Sequence, residues 1–366
     1  MTDMKIKTYI TRTSLRVLTA AMAILSFLAF PSCDSAIYDY EGDCSVTYRL
    51  RFRYDRNLKR ADAFASEVKS VHLYAFDNDG ILVWQKSENG QALASEGYSM
   101  TLDLPAGNYQ LIAWCGLDNV GGKKSFSVPE MTVGVSRMEE LQCSLKRSHT
   151  DSRASGDVST DGHSTEMLDF MFHGMLEVNL PKNDDGGEYE YTMYLTKDTN
   201  HIRIILQHLS AQDVDVDDFV FRIEDENGLM AHDNSLMEDE NIVYHTWNTQ
   251  SGTAAIVKDG ETVDCVTAVA DLTVARMTVE HSRRMMLTIT DKEGKTVVSG
   301  VPVIDYALLA RDYYETAYGY KMSPQDFLDR EDEYVMTFFL DENNRWISSH
   351  IMIQSWRIVL RDVDIK

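Results

Sequence analysis

The feature that most constrains this chain is a period of two. From residue 46, apolar Val46, Tyr48, Leu50 and Phe52 alternate with Thr47, Arg49, Arg51 and Arg53. In an extended strand successive side chains point to opposite faces, so this segment is predicted to lie half-buried in a sheet. Strand character returns at 71–76, 81–84, 98–104, 109–114, 170–174 and 176–180. It continues at 201–206, 219–223, 271–279, 285–290, 334–340, 346–353 and 356–360. Turn residues separate these runs, as in Asp77-Asn78-Asp79-Gly80 and Pro105-Ala106-Gly107-Asn108. Helix is expected at 304–314 and after Ser323, where an N-cap serine precedes Pro324 and Asp326. One or two helical turns are also read at 61–68. The fold class predicted is mainly all-β.

At 366 residues the chain suits two domains better than one. Asp184-Asp185-Gly186-Gly187-Glu188 is the break chosen as boundary, giving domains over 44–188 and 189–366. The order strand, acidic spacer, strand, acidic-Gly turn occurs in both halves, ending at Asp77–Gly80 and at Asp225-Glu226-Asn227-Gly228. Two related β-sandwiches would explain the echo, and coincidence would also produce it, because acidic-Gly turns are common. The polar run 147–165 has almost no large apolar residue and is read as a long surface loop.

The N-terminus reads as an export signal. Lys5, Lys7, Arg12 and Arg16 precede an uncharged stretch, 17–30, too short to span a bilayer comfortably. Leu28-Ala29-Phe30-Pro31-Ser32-Cys33 resembles the lipobox of bacterial lipoproteins, with Phe30 and Pro31 bulkier than is usual there. Signal removal over 1–32 would leave Cys33 as a lipidated first residue and 33–43 as an acidic tether. An ordinary secreted protein, cut near Ser32 with Cys33 in a disulfide, is the alternative. Losing four basic residues and one acid takes the net charge from -23 to -26. Nucleic acid is therefore a poor partner, because phosphate binding needs a basic surface.

Of the other cysteines, Cys44, Cys115 and Cys143 lie in the first half and Cys265 in the second. At most one bridge is expected among them, with buried free thiols the other possibility. No zinc spacing is present, and the sequence has no HExxH, GxSxG, P-loop or GxGxxG, so neither enzyme activity nor a cofactor is expected. The two acidic-Gly runs look like fragments of a calcium loop, but the glycine comes too early and strands flank them, so hairpin turns are predicted. Trp84, Trp114, Trp247, Trp346 and Trp356 could stack on sugars. Trp114 and Trp356 sit in apolar strands and are assigned to the core. Trp247, in Thr246-Trp247-Asn248-Thr249, is the best exposed candidate for a glycan contact.

Several of these segments together resemble the Bacteroidetes fimbrial anchor lipoproteins, the FimB-like, minor-fimbria anchor group related to fimbrillins. They are Cys33 with Ile37-Tyr38-Asp39 and Cys44, Phe64-Ala65-Ser66-Glu67-Val68, Leu73 to Gly80, and Leu104-Pro105-Ala106-Gly107-Asn108-Tyr109 leading to Ala113-Trp114. Leu195 to Ile202, Phe327 to Tyr334 and Ile353-Gln354-Ser355-Trp356 complete the series. Lys197-Asp198 stands where an arginine is expected in that group. The resemblance implies two transthyretin-like Greek-key β-sandwich domains, the second with a short helical insertion. It also implies an outer-membrane, lipid-anchored, surface-exposed protein, part of a fimbrium, that attaches a fimbrial shaft and limits its elongation. Its partners would be fimbrillin shaft subunits, engaged by β-strand complementation, with 356–360 one candidate edge. A surface glycan-binding lipoprotein of a polysaccharide-uptake system is the alternative reading.

Overall fold

The computed structural model describes residues 46–118, 124–150, 158–182, 186–258, 260–319, 321–354 and 356–359. The signal, the tether, Cys33 and Cys44 lie outside these residues. The fold is mainly β, as the alternation predicts. A three-stranded sheet runs in the order Gly187–Tyr194, Val46–Arg53, Ser99–Leu102. A five-stranded sheet has the order Thr196–Lys197, Phe172–Leu180, Gly107–Cys115, Ser70–Phe76, Leu82–Asn89. Met193 and Leu195 come so close to Gly174 of the second sheet that a Cβ there would lie 2.7 Å from both. A methyl group at 174 would therefore force these side chains apart.

Two six-stranded sheets follow. One has the order Asn248–Lys258, Glu261–Val274, Asn200–His208, Glu333–Leu340, Trp346–Ile353, Trp356–Val359. The other runs Thr296–Pro302, Met286–Asp291, Phe219–Asp225, Ile242–His245, Val158–Ser164, Ser148–Thr150. In the first, Asn200–His208 points Ile202, Ile204 and Leu206 inward on strict alternation. It pairs in parallel with Glu333–Leu340, whose residues from Met336 to Leu340 are all buried. A parallel central pair buried on both faces reads as a continuous apolar run, and Phe338-Phe339-Leu340 is one.

A small sheet, Leu229–Met230, Cys143–Leu145, Phe126–Ser127, joins segments from both halves of the chain. Strands cross residue 188 elsewhere too, since Thr196–Lys197 pairs with Phe172 and His173 while Val158–Ser164 pairs with Ile242–His245. One apolar cluster accordingly runs from Tyr74, Phe76, Ile112 and Trp114 through Phe126 and Leu145 to Ile204, Phe221, Leu287 and Phe338.

Four local expectations change. The run 147–165 is not all loop: it supplies Ser148–Thr150 and Val158–Ser164, held by partner strands rather than by apolar content of their own. Asp225–Gly228 is not a hairpin turn, because the chain leaves it for the small sheet and pairs with Cys143 and Ser144. The duplicated turn is therefore used differently in the two halves. The helix expected at 304–314 is broken into Val303–Leu308 and Arg311–Tyr318. The strand expected at 271–279 starts earlier, at Glu261, and ends at Val274, forming a long hairpin with Asn248–Lys258. The N-cap at Ser323 forms as predicted, its hydroxyl accepting from the Asp326 N–H.

Candidate functional site

Two residues, Asp198 and Thr199, carry the chain from the five-stranded sheet into the first six-stranded sheet. Thr196–Lys197 ends in one ladder and Asn200–His208 begins the next. Each residue between is tied down. The Asp198 N–H donates to Met171 O at 2.8 Å. Thr199 Oγ1 donates to Asp169 O and accepts from the Met171 N–H. The His201 N–H donates to Asp332 O.

Two charged side chains are buried at this bridge. Lys197 lies beside Asp332, and its Nζ is 3.0 Å from Glu67 Oε2. Its ammonium also stands 3.5 Å from the ring centre of Phe170, a cation–π arrangement favoured in a desolvated setting. Lys59 reaches Glu67 and Asp332 from the solvent side at 3.3 and 3.5 Å. Asp198 Oδ1 accepts from Arg276 Nη1 at 2.8 Å and from Asn234 Nδ2 at 2.9 Å, and Arg276 continues to Asp329. Burial raises the Asp198 carboxyl to about 6 against the pull of Arg276 and Asn234. Burial likewise raises Glu331, next to Asp332, to about 7. The cluster is a structural lock: its charges are spent on one another. Lys197-Asp198, the departure noted in the sequence, is thus its centre.

Two strand edges are the candidate docking surfaces. Among the described residues, Trp356–Val359 is the outermost strand of its sheet, paired on one side with His350 to Ile353. Gln354, in the left-handed region at φ 55°, precedes it and donates to Val335 O and Glu333 O. The opposite edge of that sheet is Asn248–Lys258, eleven residues whose sole charge is Lys258. Its hairpin extends past the core, with Val257 and Val263 exposed. Edges with so few charges are templates to which a strand can be added.

The other candidates are more ordinary. Trp247 is only half-buried, 6.0 Å from His201 in ring centres, and its indole N–H is enclosed without a partner among the described residues. His201 itself joins Arg203 and Asn248 on the buried carboxylate of Asp271. Trp114 is fully buried against His173, whose imidazole is pushed down to about 4 by burial. Asp77 closes a hairpin turn, its Oδ1 accepting from the N–H groups of Asp79 and Ile81. At the second acidic run, Asp225 bonds His281 and Asn227 bonds Tyr244 and Arg276 O. Neither turn holds a metal cage, and no group of three His, Cys, Asp or Glu side chains converges among the described residues. His163, which shows no ligand spacing in the sequence, meets His245 across parallel strands, Nδ1 to Nε2 at 3.0 Å, a pairing that sequence reasoning missed. Cys115, Cys143 and Cys265 are buried free thiols, and burial raises each.

The family model of the fimbrillin-A associated anchor proteins Mfa1 and Mfa2 matches residues 40–362. The chain belongs to that family. The minor fimbrium anchoring subunit Mfa2 of Porphyromonas gingivalis is 29% identical over 131 residues, 36% of this chain and 38% of that relative. The chain is thus matched to well under half of that relative's length. A crystal structure described as a candidate adhesin from Bacteroides thetaiotaomicron is 31% identical with a TM-score of 0.72, covering 88% of this chain and all of its own. A second from that organism, described as a candidate polysaccharide-binding protein, is 28% identical at 0.70 and covers 87% of this chain and all of its own. The fimbrial anchor protein Mfa2 of P. gingivalis shares the fold at a TM-score of 0.58 and 16% identity, over 87% of this chain and 100% of its own. Membership in the fimbrillin-associated anchor family supports a fimbrial accessory role at the cell surface.

Proposed function

We infer that the chain is a fimbrial anchor subunit held in the outer membrane by lipid on Cys33, and that it acts by binding rather than catalysis. The observation that carries this is the family match over 40–362, which begins just beyond the lipobox-like cysteine. One acyl chain anchors only marginally, so the diacyl or triacyl modification of bacterial lipoproteins is what the role requires. The acidic segment 33–43 would then space the β-fold from the membrane.

The shaft would be engaged by strand complementation. A strand added to a sheet gains main-chain hydrogen bonds along its length, and alternate side chains set register in pockets. Trp356–Val359 and Asn248–Lys258 are the two edges, among the described residues, of the first six-stranded sheet on which such a strand would lie. Occupying the base of the shaft would limit its elongation.

The test is in two parts. Labelled palmitate enters the wild-type protein, and Cys33→Ala abolishes incorporation. Photo-crosslinkers placed at Thr253 and Arg357 then capture a fimbrillin on intact cells. A protein that is lipidated but never crosslinks to a shaft subunit refutes the anchoring role.

A further inference from the structure

One sheet face changes character along its length. Trp114 pairs with His173, Ile112 with Met175, Gln110 with Glu177 and Asn108 with Asn179, all on the same face by alternation. The first pair is buried, Trp114 within the core cluster. The last two lie beyond its edge and line a trough of about 610 Å³, with Met138 and the turn at Asn78 along one side. The Met138 N–H donates to Gly80 O, which fixes that wall against the turn.

The lining is polar, and only part of it is uncommitted: Asp77, Asn108, Tyr109 and Asn179 already make hydrogen bonds. The side chains of Asn78, Gln110 and Glu177 make no hydrogen bond or ion pair among the described residues. Asn179 donates to Asn108, which fixes both amides. Gln110 and Glu177 face each other across paired strands, so an amide and a carboxylate stand side by side. Amide N–H groups donate to a hydroxyl oxygen and a carboxylate accepts from a hydroxyl, so neighbouring hydroxyls satisfy both. No Lys or Arg lines the trough, while Asp77 and Glu177 do. Phosphate, sulfate and uronate ligands are thereby repelled. The lining has no row of apolar pockets for the alternate side chains of a peptide strand.

We propose that this trough binds a neutral glycan. It is independent of the shaft edges, which belong to another sheet, so it stands or falls separately from the anchoring role.

The test uses the mature chain and immobilised maltohexaose, mannohexaose, laminarihexaose and xylohexaose. Binding is read by biolayer interferometry up to millimolar protein-site competition with free sugar. At least one hexasaccharide is bound, and Gln110→Ala with Glu177→Ala weakens it at least about tenfold, as expected for two lost hydrogen bonds, one of them charged. The melting temperature of that variant stays that of the wild type, since both side chains are unbonded. Trp247→Ala leaves binding unchanged. The proposal is overturned if no hexasaccharide binds, if binding survives the double variant, or if Trp247→Ala alone removes it. It is equally overturned if polygalacturonate binds better than every neutral sugar, or if the trough titrates with calcium and Glu177→Gln abolishes that signal.

Discussion

Replacing Lys197 with methionine tests whether the bridge is an ionic lock. Methionine keeps much of the side-chain volume and the contact with Phe170 but removes the charge that Asp332 and Glu67 share. Removing one partner of a buried ion pair typically costs about 3–5 kcal/mol, because the other charge is left buried and unpaired. Lys59 offsets part of this, sitting 3.5 Å from Asp332 and 3.3 Å from Glu67 with its side chain 45% exposed. An exposed contact of that kind contributes at most about 1 kcal/mol. The expected loss is therefore about 2–4 kcal/mol, or a urea midpoint lower by roughly 1 M at a slope near 3 kcal/mol/M. Urea unfolding followed by tryptophan fluorescence reads it directly. The double variant Lys197→Met/Asp332→Leu should recover at least about 1.5 kcal/mol of that loss, because no unpaired Asp332 charge remains. A single variant within about 0.5 kcal/mol of wild type, or a double variant equal to the sum of the singles, refutes the lock.

Three further outcomes follow from the same packing. The folded Asp198 carboxyl lies at about 6 against an ordinary 3.8, so its neutral form is the one folding favours. Its stabilising contribution is complete below pH 3.8 and is lost as pH rises to 6. Relative to Asp198→Asn, the wild type should thus lose stability across that window, by about 1–3 kcal/mol; a difference that is flat with pH contradicts this. Gly116 has φ 102°, and a Cβ would lie 1.9 Å from Phe170 O. Gly116→Ala should cost at least about 3 kcal/mol in thermal unfolding, and a loss under about 1 kcal/mol would mean that the loop simply yields. Asp77→Ala removes the acceptor of two turn N–H groups. It should lower stability by about 1–2 kcal/mol, with millimolar calcium leaving the melting of both proteins unchanged; calcium stabilisation of the wild type alone would restore the cation reading.

How legible a segment was depended on whether its own residues state their environment. Val46–Arg53, Asn200–His208 and Glu333–Leu340 carry their burial in their side chains, so alternation or an apolar run located them. Asn248–Lys258 does not: its small and polar residues, Gly252 included, alternate too weakly to announce a strand, and it exists through its pairing with Glu261–Val274. Ser148–Thr150 and Val158–Ser164 are likewise strands by courtesy of their neighbours. The lock was hidden by distance along the chain, since Lys197 meets partners 130 and 135 residues away. Asp225–Gly228 was misread because the residues of an acidic turn also serve as buried hydrogen-bond acceptors, here for His281 and Tyr244. The trough could not be read at all, because amides on a strand look like any solvated face until the opposite strand is known.

The bridge at Thr196–Asn200 also sets how this protein bears load. Both its ends lie in ladders; between them the Asp198 N–H bonds Met171 O and the Thr199 hydroxyl bonds Asp169 O, and just beyond it the His201 N–H bonds Asp332 O. A connector so fixed has no spare torsion with which to act as a joint. Tension applied to either sheet passes into the other without a swivel, so a shaft pulling on one end would meet a strut rather than a hinge.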